Sequence, residues 1–182
     1  MKHLTKEELY AGLDHIKQSP KEIGRLDWIV RRPNVDEREV LDTAELSETT
    51  GLVGDNWQYK KSSRTADGSA HPDMQINIMN VRSIALLSPD KDRWALAGDQ
   101  LYVDMDLTDE NLPNGTKLAI GSAIIQITDQ PHNGCNKFRK RFGLAALQFV
   151  NSPIGKELHL RGVNAKVIKA GTIHQGDELR RV

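Results

Sequence analysis

The sequence has few features that would point to an oxidising compartment or to a polyanionic partner. Its 182 residues include one cysteine, so no disulfide can form within the chain, and a single thiol suits a reducing compartment. Lysine plus arginine number 25, and aspartate plus glutamate also number 25. This balance gives no net charge to steer the protein toward nucleic acid or an anionic membrane. We therefore expect no nucleic-acid partner and no membrane partner.

Long apolar stretches and the common nucleotide-binding motifs are also missing. No run approaches the ~18 apolar residues of a membrane-spanning helix, and the first residues lack the apolar core of a secretory signal. Both absences favour a cytoplasmic location. The sequence contains no Walker motif, no dinucleotide-binding glycine pattern and no G-x-S-x-G elbow. The usual signatures of P-loop, Rossmann and α/β-hydrolase enzymes are therefore excluded.

The residues that are present have the composition of an ordinary globular domain, with 38% hydrophobic and 27% charged residues. The length suits one domain with its own core. Thr5 and Glu8 form a capping box, which predicts a short helix that Pro20 closes. We assign residues 1–22 to this N-terminal helix and its lead-in, and residues 23–182 to a single domain.

Short alternating or β-branched segments, separated by glycine and proline, dominate the remaining chain. They predict strands at 24–32, 40–46, 75–79, 101–105, 163–170 and 178–182, and a hairpin over 117–128. Helical spacing predicts two short helices, over 81–87 and 143–150, and a polar stretch predicts a long loop over 60–73. Many short strands with few helices predict a mainly β fold that closes into a barrel.

The densest group of chemically reactive residue types lies in residues 131–143, directly after the strongest predicted strand. Cys135 is in this segment, and a thiol acts as a nucleophile or a metal ligand only as thiolate, which cationic neighbours favour. Its nearest cations are Lys137, Arg139, Lys140 and Arg141. The same side chains suit a phosphate, which arginine binds as a fork and lysine as a point charge. The alternatives are a small buried thiol and a solvated basic face.

His132 precedes Cys135 by three residues, and this spacing allows two roles. As a group that titrates near neutral pH, His132 could act as a general base toward the thiol. It could instead supply half of a zinc site, but a structural zinc needs four ligands and no second Cys/His pair occurs at ligand spacing.

Acidic residues give weaker signals. The run over 104–110 has several carboxylates but lacks the glycine that an EF-hand loop needs at its sixth position. Asp55, Asp99 and Asp177 each follow a glycine, and we interpret all three pairs as turn chemistry.

From Gly98 to Asp177 the chain resembles the MOSC family, which is named after the C-terminal domain of molybdenum-cofactor sulfurases. The residues that carry the resemblance are Gly98-Asp99-Gln100-Leu101, Leu112-Pro113-x-Gly115-Thr116, the cysteine segment with Lys137, Phe138 and Arg141-Phe142-Gly143, Leu160-Arg161-Gly162-Val163, Gly171 and Gly176-Asp177. Upstream, Gly24-Arg25-Leu26 and Gly51-Leu52-x-Gly54-Asp55-x-Trp57 look like the N-terminal part of small stand-alone members.

The resemblance implies a closed β-barrel-like domain that binds the molybdenum-pterin cofactor or carries sulfur. The family cysteine matches Cys135, which would carry persulfide sulfur or ligate molybdenum. Pyridoxal phosphate binding is a further property attached to the family. Some relatives reduce N-hydroxylated compounds with electrons from partner proteins. The sequence shows no appended aminotransferase, flavin or ferredoxin-like domain. Other proteins would therefore have to supply the sulfur or the electrons.

Three hypotheses follow from the residues and the resemblance together. The first is a molybdenum-cofactor-binding or sulfur-carrier protein, the second a molybdenum-dependent reductase supplied by an external reductase, and the third a non-catalytic interaction module. The first would also need a sulfur-donor protein or the cofactor itself as partner. The expected catalytic residues are Cys135 and His132. The expected cofactor-binding residues are Asn136, Lys137, Arg139, Arg141, Arg161 and His71.

Overall fold

The computed structural model describes residues 3–182, which form short strands and short helices. The strands are β1 (Ile23–Arg31), β2 (Glu39–Leu41), β3 (Thr43–Ser47), β4 (Gly51–Leu52), β5 (Ile76–Asn80), β6 (Leu101–Asp104), β7 (Lys117–Ile120), β8 (Ala123–Ile127), β9 (Val163–Lys169), β10 (Gly171–His174) and β11 (Glu178–Arg181). The helices are α1 (Lys6–Ala11), α2 (Leu13–Lys17), α3 (Val81–Leu87), α4 (Asn136–Phe142), α5 (Leu144–Val150) and α6 (Pro153–Glu157). Short 3₁₀ segments cover Asn56–Tyr59, Pro72–Met74 and Lys91–Ala97.

Seven strands form a closed barrel. Around it the order is β11, β7, β8, β9, β5, β6 and β1, and β1 then pairs with β11 to close the ring. The closing register joins Ile23 to Arg180 and Arg25 to Glu178. β5 and β6 run parallel, whereas the other neighbouring pairs are antiparallel. The predicted fold class, a mainly β, closed barrel-like domain with a few short helices, is confirmed.

Strands β1, β5 and β6 are buried on both faces because the barrel and a helical layer pack on opposite sides of them. Inside the barrel lie Leu26, Ile29, Ile78 and Val103, which solvent does not reach. On the outer face, residues of the same strands pack against the helices. This second cluster includes Leu9, Trp28, Met79, Tyr102, Phe138, Phe142 and Phe149. The second cluster fixes α4 and α5 against the barrel wall.

The predicted capping box is present at the start of α1. Glu8 accepts a hydrogen bond from the Thr5 backbone N–H, and Thr5 Oγ accepts one from the Glu8 N–H. Gly12 divides the predicted helix into α1 and α2. A side chain at Gly12 would collide with Leu86 of α3, so this segment approaches the helical layer closely.

The structure adds several elements to those predicted. Residues 40–46 belong to two strands, β2 and β3, and the link between the last two predicted strands contains β10. β10, β3 and β4 form a separate three-stranded sheet. Helices α4 and α6 were also not predicted, while α3 and the hairpin of β7 and β8 occur where the sequence places them. None of the helices in the described chain combines the length and the apolar composition needed to cross a bilayer.

Candidate functional site

Cys135 lies at the end of the loop that leaves β8, immediately before α4. Its side chain is exposed and the residue has an extended backbone. Gly134, the residue before Cys135, is held in place by Asn151, which follows α5. Asn151 Oδ1 accepts from the Gly134 N–H at 2.9 Å, and Asn151 Nδ2 donates to the Gly134 carbonyl at 3.1 Å. A side chain at position 134 would crowd Leu147 and Val150. The thiol is therefore presented from a loop that is fixed to the helical layer.

The thiol opens onto a cavity of about 260 Å³, which we call the cationic pocket. Six cationic side chains line it, together with one carboxylate, that of Asp36. The six cations are Arg32, Arg38, Lys60, Lys137, Arg141 and Arg161. Positive side chains in a concave site reinforce one another because the protein wall excludes water. The lining therefore favours an anionic ligand.

Two of the six cations are buried and already paired with carboxylates. Arg32 donates to both carboxylate oxygens of Asp55, at 2.8 and 2.7 Å, and also to Asn77 Oδ1 and the Gly98 carbonyl. Such a fork geometry holds a guanidinium in one orientation. Arg32 therefore forms a rigid part of the pocket wall.

Arg161 is the second buried cation. Its Nη1 lies 2.9 and 2.6 Å from the two oxygens of Asp99, and its Nη2 donates to the Ala97 carbonyl at 2.9 Å. The guanidinium carbon stands 5.1 Å from the ring centre of Phe138, a residue of α4. Arg161 Nε is sealed from solvent and has no hydrogen-bond partner. This residue therefore links the barrel end to the helix that follows Cys135.

Arg38 and Lys60 supply charge that no nearby carboxylate neutralises. Arg38 Nε donates to the Ala95 carbonyl, and partial burial, followed by the charges of Arg141 and Arg32, lowers its pKa. The pKa of Lys60 falls to about 8, mainly because the surrounding protein displaces water and secondarily because of Arg32. The Lys60 side chain still keeps contact with solvent. Both shifts indicate a positive potential in the pocket.

The structure brings together four of the residues predicted from sequence. Cys135, Lys137, Arg141 and Arg161 all line the cationic pocket. Arg141 donates to Asp36 at 2.7 Å and to the Leu96 carbonyl at 2.8 Å, which fixes its direction.

Other predicted residues lie elsewhere. Asn136 and Arg139 are exposed and do not line the cavities described. His71 lines a neighbouring cavity of about 160 Å³ that shares Lys60 and Asn77 with the cationic pocket. Its Nδ1 accepts a hydrogen bond from the Asp73 backbone N–H.

His132 is near the thiol in sequence but occupies a different environment. It lines a larger cavity on the other side of Arg161, and in the described part of the chain it makes no hydrogen bond to Cys135. Its Nδ1 lies 3.6 Å from Asp99 Oδ1. Burial, followed by the charge of Arg161, lowers the pKa of His132 well below its usual value. His132 is therefore a neutral ring beside the Asp99–Arg161 pair.

The interpretation of the Gly-Asp pairs as turn chemistry is incomplete for two of the three, although Asp55 Oδ1 does accept from the Trp57 backbone N–H. Asp99 and Asp55 are buried carboxylates that hold Arg161 and Arg32. Only Asp177 acts mainly within a turn, where its Oδ2 accepts from the His174 backbone N–H. The sequence signal for a role of Asp55 and Asp99 was their place in the segments that resemble the MOSC family.

The sequence also gave no role to three other cations of the pocket. Arg32, Arg38 and Lys60 come from loops after β1 and β4, far along the chain from Cys135, and no local pattern connects them to it.

The donor set of the pocket is suited to one thiolate bond and several anion contacts. In residues 3–182 no group of three or more His, Cys, Asp or Glu side chains is arranged to hold a metal ion. A zinc centre of the usual four protein ligands therefore has no counterpart in the described residues. A metal bound here would take Cys135 as its protein ligand and its other donors from a cofactor.

Comparisons with known proteins agree with the fold. The chain is similar to the YuaD protein of Bacillus subtilis, with a TM-score of 0.63 and 16% identity over 86% of this chain and 94% of that one. It is also similar to YiiM of Escherichia coli, with a TM-score of 0.55 and 23% identity over 87% of this chain and 69% of that one. YiiM of Geobacillus stearothermophilus gives a TM-score of 0.57 and 15% identity, over 87% and 75% of the two chains. No curated protein sequence matches.

The sequence profile of the MOSC domain matches residues 65–180, which include the cysteine segment and Arg161. The match covers more than half of the chain, and the barrel agrees with that of the structural relatives. The chain belongs to the MOSC domain family, whose members are associated with molybdenum-cofactor binding.

Proposed function

We propose that this protein binds the molybdenum-pterin cofactor, or carries sulfur for it, through Cys135 and the cationic pocket. The observation that carries the proposal is the exposed thiol at a cavity with six cationic side chains and one carboxylate. A thiolate is a soft ligand that suits a transition metal or a sulfane sulfur atom. The cations suit the phosphate of the cofactor.

The residues of the pocket fit the different parts of this cofactor. Arg38 and Lys60 have no carboxylate within salt-bridge distance and would bind the phosphate, with Lys137 at the rim. Asn56 Oδ1 is buried, has no hydrogen-bond partner in residues 3–182, and would accept a hydrogen bond from the pterin. The bound cofactor would supply oxygen-atom and electron-transfer chemistry at the metal. The volume of about 260 Å³ suits part of the cofactor, and the remainder would extend from the mouth.

The sulfur-carrier role requires a donor protein that bears a persulfide. The Cys135 thiolate would attack the terminal sulfur of that persulfide, and the S–S bond of the donor would break. Cys135 would then hold the transferred sulfur as its own persulfide, while the donor leaves as a thiolate. The exchange needs no oxidant or reductant. The exposure of Cys135 allows this approach.

Metal and pterin content per chain tests the proposal. Wild type and Cys135→Ala would be purified without oxygen from a host that makes the cofactor. We expect near-stoichiometric molybdenum and pterin in wild type and at least a tenfold loss in the variant, because the only protein thiolate is gone. Equal metal in both proteins would refute the role of Cys135. If neither protein holds metal, persulfide transfer from a donor to wild type alone would support the carrier role, and its absence would overturn the proposal.

Lys60→Ala and Lys169→Ala form a matched pair for the phosphate contact. Lys60 lines the pocket, whereas Lys169 is exposed at the end of β9. We expect lower pterin content in Lys60→Ala alone. Turnover of an N-hydroxylated base by the loaded wild type with an artificial electron donor would assign the protein to the reductases. Absence of turnover would favour the carrier role.

A further inference from the structure

A cavity larger than the cationic pocket lies on the other side of Arg161. It has a volume of about 590 Å³, which lies in the range of ~300–1,000 Å³ typical of small-molecule sites. We call it the neutral cavity. Buried apolar side chains from Ile127, Val150 and Val163 line part of it, and His132 and Arg161 supply polar groups. Arg161 also lines the cationic pocket, so the two cavities share this residue as a wall.

The neutral cavity has no uncompensated charge in its interior. Arg161 is neutralised by the buried carboxylate of Asp99 at 2.6 Å. The other charged groups in its lining, Asp109, Asp129 and Lys156, are exposed, and Asp109 Oδ1 lies 3.0 Å from His159 Nε2. An ion that entered the interior would lose its hydration without finding an opposite charge. The interior therefore favours an uncharged ligand, in contrast to the cationic pocket.

His132 presents an unused hydrogen-bonding edge to this cavity. Its Nδ1 is sealed from solvent and lies 3.6 Å from Asp99 Oδ1, so the carboxylate favours the tautomer with the proton on Nδ1. Nε2 is then an acceptor. It has no partner in residues 3–182, and it is not among the sealed polar atoms. The His132 side chain keeps 12% of its surface exposed and lines the cavity.

We propose that the neutral cavity is a second binding site, which takes an uncharged molecule with an apolar body and an N–H or O–H group that donates to His132 Nε2. The apolar body would pack on Ile127, Val150 and Val163. Because Arg161 is shared, the bound molecule would lie against the other side of the wall of the cationic pocket. The binding itself does not depend on the molybdenum proposal.

Benzamide is a suitable probe because it is uncharged, has an apolar ring and donates through its N–H groups. Nuclear magnetic resonance of wild type without cofactor would follow the methyl groups of Ile127, Val150 and Val163 and the ring nitrogens of His132. We expect saturable shifts of these signals, with Nε2 as the unprotonated nitrogen. Benzoate and benzylamine have nearly the same size but carry a charge. We expect each to bind at least tenfold more weakly than benzamide.

His132→Phe keeps a planar ring and removes the acceptor, and we expect it to weaken benzamide binding at least tenfold. His174→Phe, at the exposed last residue of strand β10, is the control. The comparison of the three probes uses wild type alone, so it decides the matter even if His132→Phe does not fold. The proposal is overturned if benzamide shifts no cavity methyl group up to its solubility, or if benzoate binds as tightly. Repeating the titration with Cys135→Ala separates this result from the molybdenum proposal, since binding should be unchanged.

Discussion

The Asp99–Arg161 pair is a buried ion pair whose two members cannot be separated without cost. Asp99 is fully buried and Arg161 is 8% exposed. Asp99→Ala would leave the guanidinium charge buried beside the neutral ring of His132. We expect a loss of about 3–5 kcal/mol in the free energy of unfolding, measured by urea denaturation. Asp129→Ala removes an exposed carboxylate and should change it by less than about 0.5 kcal/mol. A loss below ~1 kcal/mol in Asp99→Ala would show that water reaches Arg161.

His132 predicts how the stability depends on pH. Its pKa is lowered by burial, so below its ordinary pKa of about 6.5 the unfolded chain binds a proton that the folded protein does not. The contribution of neutral His132 to the free energy of unfolding is therefore complete above about pH 6.5. As the pH falls below this value, the contribution decreases by at most about 1.4 kcal/mol per pH unit. Urea denaturation between pH 7 and 5 should show that the free energy of unfolding changes less steeply with pH in His132→Gln than in wild type. His174→Gln, an exposed control, should keep the wild-type slope, and equal slopes for all three would contradict the assignment.

At the residue scale, the sequence predicted the pocket residues that are close to Cys135 along the chain. It did not predict several of those that only the fold brings near. Lys137 and Arg141 are close to Cys135 along the chain and share the helix that follows it, so proximity in sequence was enough. Arg38 and Lys60 reach the same pocket from loops that are distant along the chain. The residue types alone do not reveal a buried role for Asp99, because a glycine-aspartate pair can lie in a turn or in a core; only its place in a segment that resembles the MOSC family pointed to one.

At the scale of single elements, Gly162 controls how β9 begins. It has a φ of +105°, and a side chain there would overlap the carbonyl oxygen of Ile78. Gly176 has a φ of +93° but no atom within 4 Å of the position of a Cβ. Gly176→Ala should cost about 1–2 kcal/mol through backbone strain alone, whereas Gly162→Ala should cost clearly more. Thermal denaturation of the two variants measures the difference, and equal losses would mean that β5 and β9 can move apart at this point.

Helix α4 and strand β10, two of the elements that sequence reasoning missed, give weak local signals. Cys135 precedes the first residue of α4, and its side chain makes no capping hydrogen bond. Strand β10 has four residues and pairs with β3 outside the barrel. By contrast, α3 has Asn80 as a capping residue and occurs as predicted.

At the scale of the whole molecule, β11 closes the barrel. It pairs with β1 on one side and β7 on the other, and Leu179 is completely buried. Deletion of residues 178–182 would leave two unpaired strand edges and an open core. We expect a large fall in the denaturation midpoint and self-association on size-exclusion chromatography. Deletion of Val182 alone, which is 68% exposed, should leave the protein monodisperse and nearly as stable. An unaffected 178–182 deletion would show that the barrel does not need this strand.

The fold class could be predicted from the sequence because its signals are local: apolar and polar residues alternate within strands, and glycine and proline separate the strands. The strand order was not, because β1 and β11 come from distant parts of the chain and each alternates equally well beside other partners. Likewise, the parallel pairing of β5 and β6 depends on the crossover through α3, which no strand pattern records.

The same closure sets an order of events during synthesis. Strand β1 emerges from the ribosome early, whereas its partner β11 emerges only after nearly all of the other strands. Until then one edge of β1 has no neighbour from the barrel, and contacts between distant segments form slowly. A nascent chain that stalls before Glu178 would therefore expose the unpaired edge of β1, which can pair with strands of other chains. Chaperone dependence of this protein should rise with slower translation of the codons between β10 and β11, not of those that encode β1.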